Sequence, residues 1–151
     1  MNRLDYTTNS EEKITTKAID SSYTKSLSKG TVLFTIYGTI GDVSILGMDK
    51  AYTNQAIVGL VPKDQIDSKF LMYCLYTLKP YFLSKSRGVT QDNINLEILK
   101  TKRIPVPPLD IQKELVKQID DRKTILRELE KTKERSLKII QNIINNLFKS
   151  E

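Results

Sequence analysis

The sequence predicts an α+β fold: a small, curled, mostly antiparallel sheet with packed helices, followed by one long coiled-coil-like α-helix. Three observations carry that prediction. Residues 111–148 contain neither Gly nor Pro and follow closely on the breaker pair Pro107-Pro108. Steps of four and three from Leu115 land on Ile119, Arg122, Leu126, Leu129, Lys133, Ser136, Ile140, Ile143 and Leu147. Most of these are apolar, which marks one greasy seam along a single helix. Between residues 30 and 62, short β-prone runs alternate with Gly-containing turns.

Two regions result. Residues 1–108 form a domain able to enclose one modest core, and residues 109–151 form a helical arm. Residues 1–29 are rich in Ser, Thr, Lys, Asp and Glu, with Ile14, Ile19, Tyr23 and Leu27 as the available anchors, so loose order is expected. From residue 31, TVLFTIY has strong β preference and is closed by Gly38, after which GTIG turns the chain. DVSIL (42–46) makes a second strand, GMDK (47–50) a further turn, and AIVGLV (56–61) a third strand ended by Pro62. Asp67 or Ser68 then caps a helix from Lys69 to about Ser84. Phe70, Leu71, Cys74, Leu75, Leu78 and Phe82 recur on its sheet-facing side, and Pro80 should kink or shorten it. Thr90 or Asp92 begins a short helix carrying Ile94, Ile98 and Leu99. The run IPVPP (104–108) is extended, because proline and the residue before it avoid helix. Asp110 is placed as the N-cap of the arm. Along the arm, Glu128→Lys131 and Glu134→Lys138 support the helix, and the polar stretch 131–136 weakens the seam at its middle. At 1.5 Å per residue the arm runs roughly 55 Å, and its seam calls for a partner helix alongside.

The net charge of +6 and pI near 9.3 leave two readings: an acidic partner, nucleic acid ahead of anionic membrane, or a well-hydrated surface. A single cysteine, Cys74, makes no internal disulfide. With no apolar run long enough to span a membrane and a polar N-terminus, the expected location is the cytoplasm. The chain has no histidine, which removes His-dependent triads and most zinc sites. Residues 38–41 match neither a P-loop nor a dinucleotide fingerprint. Asp64, Asp67 and Lys69 faintly resemble a nuclease cluster, but they sit at a helix start, where the backbone dipole favours carboxylates. No metal site or cofactor is expected in this chain.

Binding signals are of another kind. The loop KSRGVTQDN (85–93) packs two cations, Lys85 and Arg87, with the amide and hydroxyl groups of Thr90, Gln91 and Asn93. Lysine and arginine neutralise phosphates, while Gln and Asn offer paired hydrogen bonds to an adenine edge. Capping of the following helix is the alternative for Thr90, Gln91 and Asn93. The turn 38–41, with Thr39, either lets backbone approach phosphate or is a plain tight turn. Tyr52, Asn54 and Gln55, between strands, either reach base edges or satisfy backbone groups.

GTIG after a strand, then AYTNQA, then GVTQDNIN and IPVPPLDIQKELV resemble, in that order, the DNA-specificity subunit of type I restriction-modification enzymes. The resemblance runs from about Ser28 to the C-terminus, and its weight lies in the order of four individually weak motifs ahead of a seamed helix. It implies a target recognition domain followed by a spacer helix, two such halves lying head to tail with antiparallel helices. Each domain would read a few base pairs of double-stranded DNA, the helices setting the gap between half-sites. Type I methyltransferase subunits, using S-adenosylmethionine, and an ATP-driven, Mg-dependent motor and nuclease subunit would supply the chemistry. The chain itself would be non-catalytic, having neither an Asn-Pro-Pro-aromatic motif nor a Walker motif. Family halves usually carry further residues before the GTIG region. The resemblance therefore reads as a truncated subunit: one partial recognition domain with one spacer helix, its second half either a separate specificity half or another copy of itself. Thr39, Tyr52, Asn54, Gln55, Lys85, Arg87, Thr90, Gln91 and Asn93 are the candidate DNA contacts. Leu115, Ile119, Leu126, Leu129, Ile140, Ile143 and Leu147 are the candidate pairing seam. The competing reading is a fragment that assembles without reading DNA, or a silent recombination cassette.

Overall fold

Val32, Leu33 and Phe34 favour extended backbone, and a glycine-bearing turn after them lets the chain fold straight back on itself. The computed structural model describes residues 4–21, 25–86 and 93–148. In chain order it forms β1 (Tyr6–Thr7), α1 (Thr16–Asp20), β2 (Leu27–Ser28), β3 (Val32–Thr35), β4 (Val43–Leu46), β5 (Lys50–Ala51) and β6 (Ile57–Leu60). These are followed by α2 (Ser68–Thr77), α3 (Lys79–Ser86), α4 (Leu96–Thr101) and α5 (Leu109–Leu147). The chain divides into two compact units, Met1–Lys113 and Glu114–Glu151.

In the first unit, β3 is the central thread of a four-stranded sheet of order β1-β4-β3-β6. It pairs antiparallel with β4 (Phe34 opposite Val43) and with β6 (Phe34 opposite Val58). β1 lies parallel to β4, Tyr6 opposite Ile45, so the sheet is mixed at this edge. β2 and β5 form a separate antiparallel pair. The polar opening segment, expected to be loose throughout, thus donates one short strand to the main sheet and another to the small ribbon. Tyr23 lies outside the described residues. Ile14 is exposed, while Ile19 and Leu27 are half-buried.

All residues of β3 and β4 are buried, which explains why their sequences lack apolar–polar alternation. Against them pack Phe70, Leu71, Met72, Tyr73 and Leu75 of α2 and Phe82 of α3. Burial of four consecutive residues, 70–73, is wider than the single face expected from the sequence, and Cys74 and Leu78 are only half-buried. Phe34 and Phe82 meet edge to face, their centroids 5.1 Å apart. Asp67 caps α2, its carboxylate accepting from the Phe70 amide at 3.0 Å. The helix expected to run to Ser84 ends at Thr77 and restarts at Lys79. Pro80 thereby falls in a first turn, where its missing N–H costs nothing.

Two further helix starts differ from the sequence-based expectation. α4 is capped by Asn95, whose side chain accepts from the Glu97 amide at 3.0 Å. Ile94 therefore precedes the helix rather than belonging to it; Thr90 and Asp92 lie outside the described residues. At α5 the first helical acceptor is the Pro108 carbonyl, which takes the Gln112 amide at 3.0 Å. Asp110 sits inside the first turn, where its carboxylate still faces the positive end of the helix dipole.

Gln112 is fully buried, an unusual place for an amide. Its Nε2 donates to the carbonyls of Gln65 at 2.8 Å and Pro107 at 2.7 Å. Its Oε1 accepts from the Asp67 amide at 2.9 Å. One side chain thus ties the loop before α2, the Pro107-Pro108 stretch and the first turn of α5 together.

α5 spans 39 residues, about 58 Å at helical rise. The seam positions Leu115, Ile119, Leu126, Leu129, Ile140, Ile143 and Leu147 are all exposed, from 37% at Ile119 to 66% at Leu147. Ile125, Leu137, Ile139 and Ile144 widen the same exposed apolar stripe. The ion pair Glu128–Lys131 forms at 3.8 Å across one turn.

Candidate nucleic-acid interface

Beyond Thr35 the central thread leaves the sheet but keeps hydrogen-bonding on both sides. The Ile36 amide donates to the Ala56 carbonyl at 2.8 Å, and the Ile94 amide donates to the Ile36 carbonyl at 2.9 Å. Tyr37 and Asn93 form an isolated antiparallel bridge. Three segments distant in sequence are therefore laced into one rim. They enclose an open cleft of about 620 Å³ lined by Ile36, Tyr37, Gln55, Asn93, Ile94 and Asn95. Tyr37 is 46% exposed there, and Gln55 and Asn93 are exposed as well.

Each part of the rim has a local cause. The Asn54 side chain accepts from the Ala56 amide at 3.0 Å, closing the turn that presents Gln55. Gly38 (φ +72°) and Gly41 (φ +80°) both hold left-handed backbone, which side chains with a Cβ resist. Between them Thr39 is exposed, and its carbonyl takes the hydroxyl of Thr35 and the amide of Asp42. Asp42, buried beneath the turn, is paired with Lys79 of α3 at 2.6 Å. The turn is thus pinned to the helix layer by an ion pair that is largely shielded from water.

The sequence-derived candidates separate on this geometry. Gln55 and Asn93 line the cleft; Thr39 lies on the turn two residues beyond Tyr37; Asn54 shapes the Gln55 turn from behind. Tyr52 lines a different cleft, of about 560 Å³, shared with Thr7, Asn9, Glu11, Glu12 and Met48. Its ring lies 5.5 Å from the Lys50 ammonium. Lys85 is exposed on α3 with its ammonium 5.9 Å from the Tyr81 ring. Arg87, Thr90 and Gln91 lie outside the described residues. Sequence reasoning passed over Tyr37 and Asn95. Tyr37 ends a β-prone run just before Gly38, a position that signals a strand exit. Asn95 stands directly before LEIL, the usual place of an N-cap.

Cys74 is half-buried on α2, and that burial pushes its thiol above the ordinary range, away from the reactive thiolate. Asp67 is engaged as a helix cap. Among the described residues no helix is long and apolar enough to cross a membrane.

The chain combines an α+β unit with one long helix that bears an exposed apolar stripe, and the comparisons show its family. Residues 2–138 match the family model of the type I restriction modification DNA specificity domain, and the chain belongs to that family. It is 29% identical over 147 residues to the type I restriction enzyme MjaIX specificity subunit of Methanocaldococcus jannaschii, covering 96% of this chain and 33% of that protein. It is 23% identical over 137 residues to the EcoBI specificity subunit of Escherichia coli, covering 87% of this chain and 29% of that one. The chain thus spans about a third of the length of these relatives. Among solved structures, the HsdS subunit of Thermoanaerobacter tengcongensis shares the fold with a TM-score of 0.62 at 22% identity, over 74% of this chain and 27% of that one. A chain from a structure of complex assembly and conformational transition in the type I R-M system matches with a TM-score of 0.64 at 23% identity, over the same shares.

Proposed function

We propose that this chain reads DNA sequence within a type I restriction-modification assembly, directing adenine methylation and cleavage by partner subunits in the cytoplasm. The observation that carries this reading is the laced rim around Tyr37, Gln55, Asn93 and Asn95. It presents amide groups and an aromatic ring together at one open cleft of a basic protein whose family is that of DNA-specificity domains. Amide side chains suit paired hydrogen bonds to base edges, and the cations Lys85 and Arg87 suit flanking phosphates. Thr39, on the adjoining turn, adds to this contact set, and Asn54, Thr90 and Gln91 remain candidates for it, while Tyr52 would offer a contact from its separate cleft. The seam of α5 pairs with a second specificity half or with another copy of this chain, and so sets the distance between two half-sites. One duplex turn measures about 34–36 Å, within the reach of a 39-residue helix.

Selection from a random-sequence duplex library, with the methyltransferase subunits added, tests the reading. Enrichment of a defined motif is expected; recovery of unenriched sequence would refute base reading by this chain. Gln55→Ala with Asn93→Ala is expected to weaken binding to the selected duplex by about 1–3 kcal/mol for each base pair no longer read, with little change on a scrambled duplex. Equal weakening on both duplexes would return these residues to a structural role. The exposed apolar stripe of α5 also favours a second reading, in which the chain assembles but reads nothing. A stable pair by light scattering, combined with no motif enrichment, would select that alternative.

A further inference from the structure

The basic run 100–103 does not act as one patch. Lys100 is paired with Glu97 at 3.0 Å, and Arg103 is exposed. Lys102 instead lays its ammonium 4.0 Å from the centroid of the Tyr81 ring, with its stem half-buried. Lys85 approaches the same ring, at 5.9 Å. Among the described residues neither ammonium has a carboxylate partner. Two cations near one ring concentrate positive charge there, which the ring's negative face compensates only in part. Such a concentration of charge favours an anion.

Lys102 is tied to the cleft by a short helix. Lys102 is the C-cap of α4, the helix that Asn95 of the cleft begins. Six helical residues lie between the two caps, which places them about 10.5 Å apart along the axis. Lys85 lies near the end of α3, whose Tyr81 is braced from below by Phe82 at 5.4 Å between centroids.

We infer that Lys85, Tyr81 and Lys102 form a phosphate clamp that grips the duplex backbone while the cleft faces the bases. The inference rests on the DNA reading above and adds to it a site that is blind to sequence. Tyr81 acts as a positioning residue, with the two ammonium groups 4.0 and 5.9 Å from its ring centroid.

The test measures affinity against salt concentration for the full chain with its methyltransferase subunits, on the selected duplex and on a scrambled one. Lys85→Gln with Lys102→Gln is expected to weaken binding to both duplexes by the same factor. The log–log salt slope should fall by about one for each phosphate no longer neutralised. Lys102→Arg should keep the slope, and unaltered thermal unfolding would show that the fold survives. An unchanged slope in the double Gln variant overturns the clamp while leaving the DNA reading intact. Weakening confined to the selected duplex also overturns it, since a grip on phosphate carries no sequence. Failure of the unaltered chain to bind either duplex removes the DNA reading and the clamp together.

Discussion

A chain carrying Leu126→Lys and Ile140→Lys is expected to lose helix pairing at concentrations where the unaltered chain associates. Both residues are more than half exposed in the single chain, at 59% and 52%, so neither substitution disturbs its core. In a paired arm each would be buried, and removing an aliphatic side chain from such a site forfeits about 1.5–3 kcal/mol. Two per chain weaken association by at least about a hundredfold, before the cost of burying ammonium groups is counted. Light scattering after size exclusion reads the result directly, and circular dichroism shows whether the helix persists. An oligomeric state equal to that of the unaltered chain would rule out the proposed seam. The polar stretch 131–136 divides the seam into two halves, so Lys133→Leu with Ser136→Leu should strengthen pairing if the seam is continuous.

Replacing Gln112 with methionine is expected to destabilise the first unit by about 2–4 kcal/mol. Shape and volume are nearly kept, so packing contributes little. The destabilisation comes from three backbone groups left without their partner: the Asp67 amide and the carbonyls of Gln65 and Pro107. Each orphaned buried group costs about 1–3 kcal/mol, reduced here because these loops are partly reachable by water. The Asp67 amide belongs to the residue that caps α2, so loosening should spread to a helix that contributes Phe70, Leu71, Met72, Tyr73 and Leu75 to the core. Urea unfolding followed by circular dichroism is the measurement; a midpoint unchanged from the parent would show that water replaces the amide without penalty.

How far the chain could be read depends on the range of each interaction. The β3–β4 hairpin was legible because β-branched and aromatic residues flank a glycine turn, and all of that information lies within about fifteen residues. The Asp67 cap was legible for the same reason, as was the interruption of the helix near Pro80. The arm was clearest, since a seam repeated over many turns leaves little room for another reading. Pairings across the chain were not legible. Tyr6 and Thr7 pair with β4 through backbone groups, which leave no side-chain pattern to detect. Gln112 looks like any polar residue of an amphipathic helix until its three partners, from two other segments, are seen around it.

The candidate site divides along the same line. Gln55 and Asn93 could be nominated from residue type, because amides in loops of a basic protein suit base edges. Tyr37 and Asn95 entered the cleft only through the hydrogen bonds that lace residue 36 to residues 56 and 94. The Lys102–Tyr81 contact likewise joins two elements that the linear order keeps apart. Periodicity and local preference, acting over a few turns or one hairpin, were enough for the β3–β4 hairpin, the cap of α2 and the long helix, while the order of four motifs carried the family. Which side chains share a cleft or a ring was left to pairing between distant segments, because backbone groups bond without regard to the side chains that identify a sequence.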